Sequence, residues 1–372
     1  MSFDQITPIV MPKWGLSMRE GRITKWLVEL GATIAVGAEI LDVETEKLVG
    51  AVEAADAGIL RRKVGECDRV YPVKALIGVM APSEVADSVI DEYVATYATP
   101  DEGVEGDEVA SKYQVVNIDA GPLRYSVVGT GSQDVVLIHG FGGDVENWMF
   151  NIDALAEKYR VFSLDLPGHG ESYKAIDDAS IAGYAKAVLA FMTAVGVQSA
   201  NLVGHSMGGA IALQILATVP ERVRSLTLIA SAGLGSQINQ AYLEGFVRAN
   251  SRKELKPYVE LLFADQTLAS RKLLDDLLKA KRMDGSQQAL EKTVAAFAKD
   301  GEQKLILSNV IDGGALPVLA IHGRRDQIIP LEQSESLQNA RVEILESAGH
   351  MPHVEAARDV NSLLLEHLAK VT

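Results

Sequence analysis

The chain has 372 residues, with 35 Lys plus Arg against 50 Asp plus Glu, a formal charge of −15. That excess of acid excludes nucleic acid and anionic membrane surfaces as partners, because either would need a basic patch. Apolar residues make up 48%, enough for sizeable cores in two or three domains, and one cysteine, Cys67, excludes an intramolecular disulfide and most cysteine-ligated metal sites.

The first fifteen residues carry Asp4 and no basic flank before an apolar run, so they do not read as a secretory signal; the expectation is a reducing, cytoplasmic setting. Through residues 1–80 short β-rich runs repeat. Ile40 to Val43 (ILDV) matches Leu76 to Val79 (LIGV) at an offset of 36, Ile34 matches Val70 at the same offset, and Gly21 matches Gly58 at 37. Two quasi-symmetric halves of a small all-β sandwich are predicted. The halves meet at VETEKLVG, which places Lys47 between Glu44, Glu46 and Gly50. A lysine that another enzyme must modify has to stand clear of its sheet, and a turn between strands provides that. On spacing alone an ordinary solvated lysine is the better reading.

Residues 81–112 hold nine acids and one base, Lys112, a net of −8 that is over half of the whole imbalance. Like charges at that density favour extension, which predicts an acidic linker, with a short helix around Val85 to Tyr97 as the alternative.

From residue 113 strands and helices alternate. The apolar runs 135–139, 161–165, 201–205, 226–230 and 318–322 each end near Gly, Pro or a polar residue, the pattern of a doubly wound, mostly parallel sheet. Ala187 to Pro220 contains no Asp, Glu, Lys or Arg, yet it breaks at Val195-Gly196; it reads as helix, buried strand and helix rather than a membrane span. A helical insertion between Ala230 and Pro317, with leucines at 273, 274, 277 and 278, would lie over the strand ends and roof a pocket.

GHSMGG (204–209) follows the strand NLV and precedes an apolar helical run, the setting in which G-x-S-x-G places a nucleophilic serine, here Ser206. Serine needs a base, and the base needs a carboxylate to orient it. Asp326, in HGRRDQIIP after the strand VLAI, and His350, in ESAGHMPHVE after VEIL, follow in the required order. Parallel strands put all three on one edge of the sheet. His353 is a weaker competitor for the base, and His367, on the terminal helix, reads as a surface residue. The glycines of HGFGGD (139–144) let backbone donors approach an oxyanion, with the Phe141 and Met207 N–H groups as the expected pair.

The run from Pro12 to Ala54, with Glu44-Thr45-Glu46-Lys47, resembles a lipoyl domain. Glu46 and Leu48 stand where biotin carriers have methionines, and Cys67 and Pro72 are departures that do not touch Lys47. Residues 113–372, including LDLPGHGES (164–172), resemble the α/β-hydrolase fold. The expected architecture is therefore multidomain: a small all-β lipoyl-type barrel-sandwich over 1–80, a linker over 81–112, and an α/β-hydrolase domain over 113–372 with a helical cap about 232–300. The pairing resembles dihydrolipoyl acyltransferases but lacks their HxxxDG motif and basic subunit-binding module. It is most similar to the acyltransferase components of acetoin dehydrogenase complexes.

That resemblance implies lipoate on Lys47, coenzyme A as acyl acceptor, and two partners: a thiamine-diphosphate-dependent acetoin dehydrogenase component and a flavin-dependent dihydrolipoyl dehydrogenase. It also implies an oligomeric assembly. In the mechanism it suggests, Ser206 takes an acetyl group with His350 as base and Asp326 behind it, then yields it to the thiol of coenzyme A. Direct attack of that thiol, a hydrolase with water as acceptor, and a non-catalytic carrier are the other readings.

Overall fold

The computed structural model describes residues 3, 5–12, 20–44, 49–54, 56–97, 113–313 and 316–371. They form two compact units, Met1–Val109 and Ala110–Thr372.

The first unit is an eight-stranded sandwich. Its strands are β1 (Thr7–Val10), β2 (Glu20–Trp26), β3 (Thr33–Ile34), β4 (Glu39–Glu44), β5 (Val49–Glu53), β6 (Gly58–Lys63), β7 (Val70–Pro72) and β8 (Leu76–Met80). They make two sheets, ordered β1-β8-β6-β3 and β5-β4-β2-β7. Advancing each strand by four positions turns the first order into the second, so the sequence repeat is a structural two-fold. The sheets close over one apolar core that includes Ile23, Ile40, Leu41, Leu60 and Ile77, all fully buried. Pro72 ends the edge strand β7, where its missing N–H breaks no interior ladder. β4 and β5 pair antiparallel, with Glu44 opposite Val49. Residues 45–48 join them, and Lys47 lies outside the described residues.

The acidic segment departs from a continuous extended linker. Helix α1 (Asp87–Thr96) occupies its first half. Ile90 is fully buried and packs with Val85, Leu76 and Val79, backed by Val89, Tyr93 and Val94. The acids that should repel are matched: Arg61 Nη2 reaches Asp87 at 2.8 Å and Arg62 Nε reaches Asp91 at 2.8 Å. Net charge over the window hid both the apolar helical spacing and the arginines on β6. Residues 98–112 lie outside the described residues.

The second unit is built on an eight-stranded sheet. It runs from β9 (Gln114–Ile118) and β10 (Gly121–Val128) through β11 (Asp134–Ile138), β12 (Arg160–Leu164), β13 (Ala200–His205) and β14 (Val223–Ile229). After the insertion come two-residue strands β15 (Ala298–Lys299) and β16 (Glu302–Gln303), which pair with each other, then β17 (Val318–Gly323) and β18 (Arg341–Leu345). The order is β18-β17-β14-β13-β11-β12-β10-β9. Only β10 runs against the rest: it pairs antiparallel with β9 and β12, and the other pairs of this sheet are parallel. Helices cover both faces: α3 (Ile181–Ala194) and α4 (Met207–Thr218) on one side, α2 (Ile152–Ala156) and the terminal α11 (Ala357–Leu368) on the other. With both faces covered, β13 is buried along its whole length, which explains the uncharged run from Ala187 to Pro220.

The insertion folds as α5 (Gln240–Arg248), α6 (Arg252–Glu260), α7 (Arg271–Lys281) and α8 (Ser286–Phe297). Asn239, Ser251 and Ser270 cap the first three. Leu255, Val259, Leu274 and Leu278 are buried, so the leucine pattern serves packing. Two short helices, α9 (Glu332–Glu335) and α10 (Pro352–Glu355), follow the last strands. No helix among the described residues is long and apolar enough to cross a membrane.

Candidate active site

Ser206 sits between the end of β13 and the start of α4 with φ 53° and ψ −119°, a backbone state that costs a non-glycine residue about 1–3 kcal/mol. Its N–H donates to Ile229 O at 3.0 Å, and its carbonyl accepts from Ala232 N at 3.0 Å, so neighbouring strands impose the turn. Two glycines make room for it. A Cβ on Gly204 would lie 2.4 Å from Gly208 O, and one on Gly208 would lie 2.1 Å from Ile138 O.

The HGFGGD loop passes against this elbow. A Cβ on Gly140 would meet Ser206 Cβ at 3.0 Å. The next N–H, that of Phe141, has no acceptor among the described residues, and the Met207 N–H is one of the donors a helix start cannot satisfy internally. The cap rests on the same loop, with the Phe141 and Phe246 rings edge to face at 5.6 Å. Behind Phe246, Lys281 donates to the Phe246 and Val247 carbonyls, and burial pushes its ammonium down to about 8.

Asp326 and His350 come from the loops after β17 and β18. His350 Nδ1 lies 2.8 Å from Asp326 Oδ2, and both side chains are buried. Asp326 Oδ1 accepts from Ile328 N at 2.7 Å and Ile329 N at 3.0 Å. Burial pulls this carboxyl up, but the His350 charge and the imidazole hydrogen bonds outweigh it and hold the group well below the usual range. It is a carboxylate at any working pH.

The base loop is pinned at two further points. His205, the residue before the serine, donates from Nε2 to His350 O at 2.8 Å, and the two rings lie 4.9 Å apart. On the cap side His350 N donates to Leu262 O at 2.9 Å, while Glu355 accepts from Gly349 N and Ala264 N, each at 2.7 Å.

The structure thus gathers Ser206, Met207, Phe141, Asp326 and His350 at the C-terminal ends of β13, β11, β17 and β18, as the motif order required; Lys47 is outside the described residues. His353 is separate from the carboxylate. It is fully buried, 4.5 Å from the His205 ring, with neither ring nitrogen hydrogen-bonded, and burial pushes it down to about 3. His367, expected at the surface, is only 5% exposed; α11 packs it against the sheet, and burial lowers it to about 4. The triad order gives no place to His322, yet its Nε2 lies 3.0 Å from Asp326 Oδ2. Its signal was its place at the end of the strand feeding the Asp326 loop. Among the described residues no group of three His, Cys, Asp or Glu could hold a metal ion.

Fold and site together define an α/β-hydrolase-fold domain with a serine elbow, joined to a small β-sandwich. Residues 135–357 match the family described as alpha/beta hydrolase fold, and residues 7–66 match the family described as biotin-requiring enzymes. Of solved structures, a meta-cleavage product hydrolase from Pseudomonas fluorescens aligns with a TM-score of 0.64 at 23% identity, covering 70% of this chain and 98% of that one; this likeness speaks for the fold alone. Relatives that span both units are more specific. The dihydrolipoyllysine-residue acetyltransferase component of the acetoin cleaving system of Cupriavidus necator is 48% identical over 98% of this chain and 97% of its own. Its counterpart in Pseudomonas putida is 43% identical over 98% and 99%. The chain belongs to this family of dihydrolipoyllysine-residue acetyltransferase components of acetoin cleaving systems.

Proposed function

We propose that this chain moves an acetyl group from a lipoyl-lysine at Lys47 to coenzyme A by way of Ser206. The observation that carries the reading is the Asp326–His350 pair, fixed at 2.8 Å beside a serine held at positive φ. The antiparallel register of β4 and β5 suits a lysine that must be reached by other enzymes, because it sets Lys47 in the four residues joining two strand ends. Attached there, lipoate would supply a sulfur that carries the acyl group as a thioester, its dithiolane S–S bond opening to an acylated sulfur and a free thiol as the group is loaded.

The chain's own residues do the rest. His350 Nε2 takes the proton of Ser206 as the serine oxygen attacks the thioester carbonyl. The Phe141 and Met207 N–H groups receive the oxyanion, and Asp326 steadies the imidazolium. The proton then passes to the departing thiolate. Coenzyme A enters, gives its thiol proton to His350 and takes the acetyl group from the serine. Placement in an acetoin cleaving system supports two partner classes: a thiamine-diphosphate-dependent component that loads the acetyl group and a dihydrolipoyl dehydrogenase that reoxidises the dithiol.

Two variants test the proposal. Ser206→Ala should lower acetyl-coenzyme A formation by at least about a thousandfold with every donor, the scale of losing a triad nucleophile. Lys47→Arg should abolish lipoylation and transfer within the complex while leaving turnover of free acetyl-dihydrolipoamide intact. Undiminished transfer by Ser206→Ala, or release of acetate in place of acetyl-coenzyme A by the unaltered protein, would overturn it.

A further inference from the structure

We propose that His322 is a positioning residue for the reaction at Ser206, a second imidazole that fixes the Asp326 carboxylate for His350. The inference rests on the reading of Asp326 and His350 as acid and base.

Asp326 Oδ2 is shared. His350 Nδ1 approaches it at 2.8 Å and His322 Nε2 at 3.0 Å. The hydrogen bond of His322 Nε2 runs to Ile329 O at 3.1 Å, and Asp326 Oδ2 is its close polar neighbour. Both neighbours of that nitrogen only accept, so Nε2 carries a proton. On the other side of the ring, Nδ1 lies 2.8 Å from Ser334 Oγ. The side chains from Ser334 through His322 to Asp326 are buried, with His322 wholly inaccessible and Ser334 1% exposed.

This arrangement divides the work on the carboxylate. The backbone N–H groups of Ile328 and Ile329 hold Oδ1. That leaves Oδ2 as the oxygen facing His350, and the His322 Nε2 edge 3.0 Å behind it limits where that oxygen can lie. Ser334 behind the imidazole serves the same end, since its hydroxyl at 2.8 Å holds the ring against Asp326.

The titratable groups facing this assembly are His205 from β13, His353 from α10, and Glu355, which reaches the base loop through Gly349 N. His205 and His353 are kept neutral by burial, so neither competes for the charge of His350.

The test uses the full lipoylated chain with acetyl-dihydrolipoamide and coenzyme A. His322→Phe removes the polar contact while keeping a ring of similar size. It should lower kcat about 10- to 100-fold, the size of a lost polar interaction with a charged group, with KM within about twofold. It should also move the acidic limb of the kcat profile to higher pH, because an Oδ2 relieved of that contact binds the His350 proton more tightly. His322→Gln carries an amide N–H near the position of Nε2 and should restore most of kcat and return the limb. Ser334→Ala is the milder variant, with a drop of about 2- to 10-fold and a folded baseline that keeps the test readable if His322→Phe unfolds. An unchanged kcat and limb in His322→Phe, or His322→Gln no better than Phe with a normal unfolding midpoint, would overturn the proposal. If Asp326→Asn and His350→Ala keep full activity, the acid–base reading itself has failed, which is a separate result.

Discussion

The two units put their polar chemistry in opposite places. Among the described residues of the first, no polar or charged side chain is buried; its charged pairs, Arg61 with Asp87 and Arg62 with Asp91, lie at the surface. All seven histidines of the chain fall in the second unit, and all seven are buried. The contrast follows from what each has to do. A carrier presents one group to several enzymes and needs only an inert, stable base for it. A site that builds up and disperses charge needs groups withdrawn from water, where hydrogen bonds and dipoles act strongly. Burial of those groups makes the second unit the more vulnerable one.

Acid should expose that difference most strongly. Burial holds His169 and His353 down to about 3, and lowers His139 and His205 as well. These groups stay neutral when folded, while the unfolded chain protonates them below about pH 6.5. Their contribution is therefore complete above that pH and is lost as pH falls towards 3, at about 1.4 kcal/mol per pH unit for each histidine. For His169 and His353 together the loss at pH 4.5 is about 5–6 kcal/mol, comparable with the stability of a domain. Calorimetry between pH 7 and 4 should show the transition of the second unit collapsing while that of the first persists. Two transitions falling in parallel would break the comparison.

A core deletion sharpens it from the other side. Ile77, fully buried between the sheets of the first unit, should cost about 2–5 kcal/mol when changed to alanine. Its melting transition should drop while turnover of free acetyl-dihydrolipoamide stays normal. A parallel loss of that turnover would show that the units are not independent.

Two smaller effects complete the series. Glu355→Gln leaves either the Gly349 or the Ala264 N–H without an acceptor, which should cost about 1–3 kcal/mol and loosen the base loop from the cap. The expected readout is a lower kcat in the second unit with no change in lipoylation. Asp91→Asn, at an exposed pair, should change the stability of the first unit by less than about 1 kcal/mol, measured by urea unfolding. A larger loss would mean that α1 depends on charge more than on Ile90.

What could be read from the sequence divides along physical lines. Strands with strong periodic or continuous apolar patterns were legible, as were the elbow at Ser206 and the order of Asp326 and His350, because local backbone chemistry dictates them. The duplicated runs at 40–43 and 76–79 pointed to paired halves, and they occupy equivalent strands of the two sheets. Helix α1 was obscured because its acids are answered by Arg61 and Arg62, distant in sequence. His322 is not legible because a triad needs one histidine after the acid, and nothing local says that a second one lies against the same oxygen. His367 looked exposed on an amphipathic helix, yet it faces inward on α11.

The most direct test follows the acetyl group itself. Protein mixed with acetyl-dihydrolipoamide, without coenzyme A, should be quenched in acid and its peptides weighed. The account predicts one acetyl group on the peptide containing Ser206, removed when coenzyme A is added before the quench and absent from Ser206→Ala. Turnover to acetyl-coenzyme A by a Ser206→Ala protein that never carries the label would contradict it.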